Sequence, residues 1–134
     1  MVRNEHEIVI HCPIERVFQF VADLETWSQW HGGEVEKRTS GPVGVGTVWE
    51  ATAQVEGRPM VVTVEATSYE RNRRFGIKHV SGAIEVPQVF ALEPVEAGTR
   101  LVTVLELADP EMAQAARQQW ERDLLTLKEL LEAG

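Results

Sequence analysis

With a single cysteine, Cys12, the chain can form no internal disulfide, which fits a reducing compartment. Basic residues are also few. Thirteen Lys and Arg against 21 Asp and Glu leave a net charge of −8, which repels phosphate backbones and anionic lipid surfaces, so nucleic acid is not an expected partner. No run approaches the roughly 20 consecutive apolar residues of a membrane span, and the opening Met1-Val2-Arg3-Asn4-Glu5-His6-Glu7 has no apolar signal core. A cytoplasmic protein without stable membrane insertion is expected. The histidines His6, His11, His31 and His79 lack metal-ligand spacing and have no second cysteine to help them, so no metal site and no cofactor are expected. The glycine-rich Gly41-Pro42-Val43-Gly44-Val45-Gly46 lacks the Gly-Lys-Ser/Thr ending of a phosphate loop and leads into a strand; it reads as a connection. Repeats, linkers and low-complexity tracts are missing too, and 134 residues at 43% hydrophobic content read as one domain over 1–134.

What is present is a sequence of short β-branched runs between two helical segments. Glu7-Ile8-Val9-Ile10-His11 reads as a strand stopped by Pro13, and Ile14, Val17, Phe18 and Val21 repeat at the spacing of one buried helical face. Asp23 can cap a second short helix carrying Trp27 and Trp30, which Gly32-Gly33 ends. From Glu34 to Leu107 about six strands follow, broken at Ser40 to Gly46, Glu56-Gly57, Glu70 to Asn72, Ser81-Gly82 and Glu96 to Gly98. Connections this short make antiparallel neighbours. Asp109-Pro110-Glu111 then starts a helix running to about Glu132, with Met112, Ala113, Ala116, Trp120, Leu124, Leu127, Leu130 and Leu131 on one face and Leu125 as an apolar exception on the other. The pattern predicts an α+β fold in which a curved antiparallel sheet of about seven strands carries the long C-terminal helix over its concave face.

Strand alternation separates the two faces of the sheet. Solvated Val61-Thr63-Glu65-Thr67 leaves Met60, Val62, Val64 and Ala66 inward, and Glu85-Pro87-Val89-Ala91-Glu93 leaves Val86, Gln88, Phe90 and Leu92. Phe75, Ile77 and His79 face inward by the same count, as do Trp49, Ala51, Ala53 and Val55, with Leu101, Thr103 and Leu105 completing the set. His79 and Gln88 are polar among these, and Asp123 joins them from the helix with Gln119 at its near edge. A buried carboxylate is costly unless paired or solvated, and Ala51, Ala53, Ala66 and Ala116 are small for a filled core. Both features point to a pocket under the N-terminal half of the last helix, between Met112 and Asp123.

The run Ile8-Val9-Ile10-His11-Cys12-Pro13 with Glu15-Arg16-Val17-Phe18, then Ala22-Asp23-Leu24-Glu25 before Trp30-His31, carries a resemblance that Gly46-Thr47-Val48-Trp49, Phe90-Ala91-Leu92-Glu93-Pro94, Gly98-Thr99-Arg100-Leu101 and the Leu-rich last helix extend. From about Glu5 to Glu132 the chain resembles the START-related SRPBCC superfamily of polyketide cyclases/dehydrases and lipid-transport proteins. The resemblance implies a helix-grip fold around a hydrophobic cavity; it does not supply a reaction.

The expected ligand is a small, largely hydrophobic molecule such as a lipid, isoprenoid or aromatic polyketide, bound or carried between sheet and helix. The residues expected to line its cavity are Trp49, Ala51, Val62, Val64, Phe75, Ile77, His79, Gln88 and Phe90 from the sheet and Met112, Ala116, Gln119, Trp120 and Asp123 from the helix. Of the tryptophans, Trp49 and Trp120 are the stronger pocket candidates, while at least one of Trp27 and Trp30 reads as pinning their short helix to the sheet. The alternative function is a cyclase/dehydratase using His79 and Asp123 as an acid/base pair. Against it stand simpler readings: a hydrogen-bonded core histidine, a Gln88 bonded to backbone, and an Asp123 turned to a surface Arg or Lys. A third class, a protein-interaction domain without a ligand, would have its cavity filled by side chains. A homodimer is compatible with the sequence. Cys12 and His11 point to opposite faces of a strand and cannot act together, and Arg71, Arg73 and Arg74 read as a solvated turn.

Overall fold

Turn residues cut the alternating stretches into strands, and the computed structural model, which describes residues 1–55 and 58–134 and the side chains of 1–52 and 58–134, contains a sheet of seven. Strand β1 (Val2–Ile10) starts earlier than the expected Glu7, because its inward positions Asn4 and His6 are polar and hide the alternation. Both are buried. Asn4 is satisfied by the last helix: its amide donates to the Ala113 carbonyl at 2.8 Å and its oxygen accepts from Arg117 at 3.1 Å.

Helix α1 (Ile14–Ala22) buries Val17, Phe18, Val21 and Ala22, with Pro13 standing at the N-cap, one place before the expected first turn. The second short helix is a 3₁₀ turn, Leu24–Gln29, and the Asp23 carboxylate caps it by accepting from the Glu25 amide at 3.1 Å. Strands β2 (Glu34–Lys37), β3 (Val48–Val55), β4 (Arg58–Glu70), β5 (Arg74–Ser81), β6 (Ile84–Val95) and β7 (Gly98–Leu107) follow, and helix α2 (Pro110–Ala133) closes the chain. The order across the sheet is β1-β7-β6-β5-β4-β3-β2, antiparallel at every step. The break expected at Glu56-Gly57 and the side chains of Ala53 and Val55 lie outside the described residues.

Asp109 caps α2 by accepting from the Glu111 amide at 3.0 Å, with Pro110 in the first turn. The helix packs chiefly on β1 and β7, α1 packs on β6 and β7, and the 3₁₀ helix packs on β2. Near the far end of α2, Lys128 donates to the Val9 carbonyl at 2.7 Å and Glu132 accepts from the His11 amide at 2.8 Å. Ala113, Trp120, Asp123, Leu124, Leu127 and Leu131 form the buried line. Met112 does not belong to it and is 41% exposed, because the Asn4 and Arg117 contacts draw the first turns onto β1 through Ala113 and turn Met112 outward. Met60, also expected inward, is 40% exposed near the start of β4, whereas Val64 and Ala66 further along are buried. Among the described residues no helix is long and apolar enough to cross a membrane.

This register fixes two leucines in opposite surroundings. Leu127→Ala should cost about 2–5 kcal/mol in urea unfolding, since Leu127 is fully buried. Leu125→Ala, at a position 56% exposed, should stay within about 0.5 kcal/mol, and equal losses at the two positions would reject the placement of α2.

Candidate functional site

The site is assembled where the 3₁₀ helix stops. The carbonyl of Trp27 accepts the amides of Trp30, His31 and Gly32 at 3.1, 2.7 and 3.1 Å, which folds the chain back on itself. Gly32 and Gly33 follow with φ of 93° and 75°. At Gly33 a Cβ would stand 2.7 Å from the carbonyl oxygen of Thr52, so the chain can pass this close to β3 only as glycine.

His31 is thereby set against the middle of α2. Its ring stacks on Trp120 with centroids 4.8 Å apart and 19° between planes, and its Nδ1 lies 2.6 Å from Oδ2 of Asp123. Asp123 is thus buried and paired, as its cost requires, but its partner is His31 and not the expected His79. His79 turns to the sheet instead, with Nε2 2.9 Å from Oε1 of Gln88. The Gln88 amide donates to Thr103 Oγ1 at 3.0 Å, and that hydroxyl donates to the Val89 carbonyl at 3.1 Å.

Both imidazoles line a partly open recess of about 610 Å³. Its floor is Ala51 and Thr52 of β3, Val62 and Val64 of β4 and His79 of β5; its walls are Leu24, Trp27 and the stretch from His31 to Val35, with Gln119 reaching over from α2. Of the residues expected to line a cavity, Ala51, Val62, His79 and Gln119 do so, and Val64 borders it from the core at 1% exposure. Trp49, Phe75, Ile77, Gln88 and Phe90 are instead closed into the core at 0–1% exposure. Trp120 is likewise buried in an aromatic cluster with Trp27, Trp30 and Phe90, and Ala116 is half-buried outside the recess. Met112 is exposed, and the recess meets α2 at Gln119, inside the expected stretch from Met112 to Asp123, and opens toward β3 and β4. The aromatic that lines it is Trp27; the sequence favoured Trp49 and Trp120 because strand alternation and the helix wheel report inward direction but not which inward side chains are covered by others.

A second depression of about 690 Å³ lies between α1 and the β4–β5 turn, bordered by Phe18, Phe20, Tyr69 and Arg71, away from both imidazoles. Cys12 is buried, which pushes its thiol up, and Arg71, Arg73 and Arg74 are exposed on their turn.

Burial holds the His79 imidazole below its ordinary value, an effect that the Gln88 hydrogen bond opposes and the neighbouring His31 reinforces. His6 is lowered as well, first by burial and then by Arg117. Above the ordinary value of 6.5 these groups are neutral in both the folded and the unfolded chain. As pH falls below it, the unfolded chain takes protons that the folded chain refuses, so stability should fall between about pH 7 and about pH 5. Urea unfolding across that range should show a shallower fall in His79→Phe; a slope unchanged by the substitution would reject a neutral, half-buried His79.

A seven-stranded antiparallel sheet gripping a C-terminal helix beside an apolar recess defines a protein of the helix-grip class. The chain belongs to the polyketide cyclase / dehydrase and lipid transport family, whose model matches residues 1–132. That family places it among proteins that bind small molecules. No curated protein matches it. Among solved structures it is similar to protein CV1439 from Chromobacterium violaceum, at 17% identity and a TM-score of 0.82 over 98% of this chain and 99% of that one. It is also similar to Ara h 8.0201, at 16% identity and a TM-score of 0.79 over 99% of each chain. The Aha1 dimer from Colwellia psychrerythraea is similar at 23% identity and a TM-score of 0.74 over 98% of this chain and 97% of that one. At these identities the likeness is one of fold.

Proposed function

We propose that the recess binds a small, largely apolar molecule, of the lipid, isoprenoid or aromatic polyketide kind, and that the protein sequesters or carries it in the cytoplasm. The observation that carries this reading is the half-buried Ala51 and Val62 on the sheet, facing Val35 across the recess over buried Val64, Leu24 and Trp27, with Thr52, His31, Glu34, His79 and Gln119 as the polar groups. An apolar surface with a few convergent polar groups suits a ligand that is mostly hydrocarbon with one polar end. Family membership supports the same reading, and a homodimer is compatible with it, as the Colwellia neighbour is a dimer.

A second reading is favoured by one contact. Asp123 holds Nδ1 of His31, which leaves that ring's Nε2 without a partner among the described residues, beside a recess that also holds His79, an arrangement suited to acid/base steps of a cyclase or dehydratase. In it the two imidazoles take the acid and base roles, and Asp123 is a positioning residue.

Saturable binding of a hydrophobic dye, displaced by apolar molecules, is the result expected of the purified protein. Ala51→Trp should weaken that binding about tenfold or more, a loss of about 1.4 kcal/mol, with the fold retained by circular dichroism. Dye affinity unchanged by Ala51→Trp would overturn the assignment of the recess. For the second reading, a β-hydroxyketone panel should show turnover that His31→Gln abolishes without loss of binding; an unchanged rate in that variant would remove it.

A further inference from the structure

The hydrogen bonds behind the recess fix which proton His79 carries. A backbone carbonyl can only accept, so the 3.1 Å contact between Thr103 and Val89 uses the one hydroxyl proton of Thr103. The 3.0 Å contact between Thr103 and Gln88 must then be donated by the amide nitrogen of Gln88, which leaves the amide oxygen toward His79. That oxygen also only accepts, so at 2.9 Å the proton between them sits on Nε2 of His79. The opposite amide orientation would set the Gln88 oxygen against Thr103 and leave either that contact or the Val89 contact without a proton. Gln88 and Thr103 are fully buried, and no solvent is at hand to substitute for a missing partner.

A neutral imidazole has a single N–H. With that proton spent on Gln88, Nδ1 of His79 is a bare acceptor, and it has no partner among the described residues. The ring itself lines the recess, and none of the polar side chains that line it with His79, Thr52, His31, Glu34 and Gln119, hydrogen-bonds to it. Burial, which disfavours the charged ring, keeps it in this state at neutral pH.

We infer that the recess selects apolar molecules carrying a hydroxyl, whose O–H is donated to Nδ1 of His79. An ether or a simple ketone has only lone pairs to offer and would meet the lone pair of Nδ1, while a carboxylate would bring a charge to the same atom. The inference rests on the recess being a ligand site, and it adds which polar group such a ligand must carry. His79 thereby becomes a specificity-determining residue, with Gln88 and Thr103 as positioning residues that lock its tautomer.

Two measurements test it. Nitrogen-15 NMR of the histidine rings in the unmodified protein at neutral pH should show His79 protonated at Nε2 and bare at Nδ1; the opposite tautomer overturns the inference whatever binds. Calorimetric titration should show naphthol binding about tenfold or more tightly than its methyl ether, the discrimination of one buried hydrogen bond. In His79→Phe the two should bind alike, and the ring-nitrogen result stands without that variant if it fails to fold. Equal affinities in the unmodified protein, or discrimination that persists in His79→Phe, would remove the hydroxyl preference and leave the ligand site standing. Binding of neither probe would overturn both.

Discussion

The indole of Trp27 is the contact on which the arrangement of the other parts depends. It is 2% exposed, its N–H donates to the Val21 carbonyl of α1 at 3.0 Å, and its ring lies 5.1–5.7 Å from those of Trp30, His31, Phe90 and Trp120. One side chain thus joins α1, the 3₁₀ helix, the sheet and the middle of α2. Aromatic pairs in such tilted and edge-on geometries contribute about 0.5–1.5 kcal/mol each beyond their buried area, and several converge on this ring. The 3₁₀ helix is too short to hold its own shape in water, so it is this packing that keeps its C-terminal end against α2. The position of His31 follows from that, and so does its pairing with Asp123.

Most of the architecture was legible in the sequence because it is written in local chemistry. Asp109 and Pro110 announce α2, Asp23 announces the 3₁₀ helix, and the alternation of Val62, Val64 and Ala66 with Thr63, Glu65 and Thr67 gives the inward face of β4. The start of β1 was not legible, since Asn4 and His6 look solvated until α2 is there to cover both and to accept from and donate to Asn4. The site was legible only in part. A helix wheel says that Asp123 points inward but not what it meets, and its partner lies 92 residues away at the end of a turn with no periodicity to read. His79 and Gln88 were correctly placed on one face, yet neighbouring-strand register decides that they bond to each other, with Gln88 opposite Ile77 and Leu105.

That register explains how so polar a chain is tolerated behind an apolar recess. His79, Gln88 and Thr103 sit on β5, β6 and β7, and their bonds cross three adjacent strands to end on a backbone carbonyl. Each of the three contacts pairs a donor with an acceptor, which offsets part of the cost of burying these groups. A chain of donors and acceptors also has a direction. It begins at the carbonyl of Val89, which cannot donate, and that one-way constraint reaches the surface of the recess as a preference for a proton.

The place of the recess follows from the breadth of the sheet. Strands about 4.8 Å apart make seven of them about 30 Å across, while a helix with its side chains is about 10 Å wide. Helix α2 is drawn to the β1–β7 side by Asn4, Arg117 and Lys128, and α1 covers β6 and β7 nearby. The concave face of β3, β4 and β5 is left to the 3₁₀ helix and the segment after it, which comes close to β3 at Gly33, with Gln119 reaching over from α2. Small and β-branched side chains at Ala51, Val62 and Val64 do not fill that space from below. An opening at this point is therefore a consequence of anchoring the gripped helix at one side of a sheet too broad for it, and the polar groups that the core cannot absorb, His31 and His79, gather at its border.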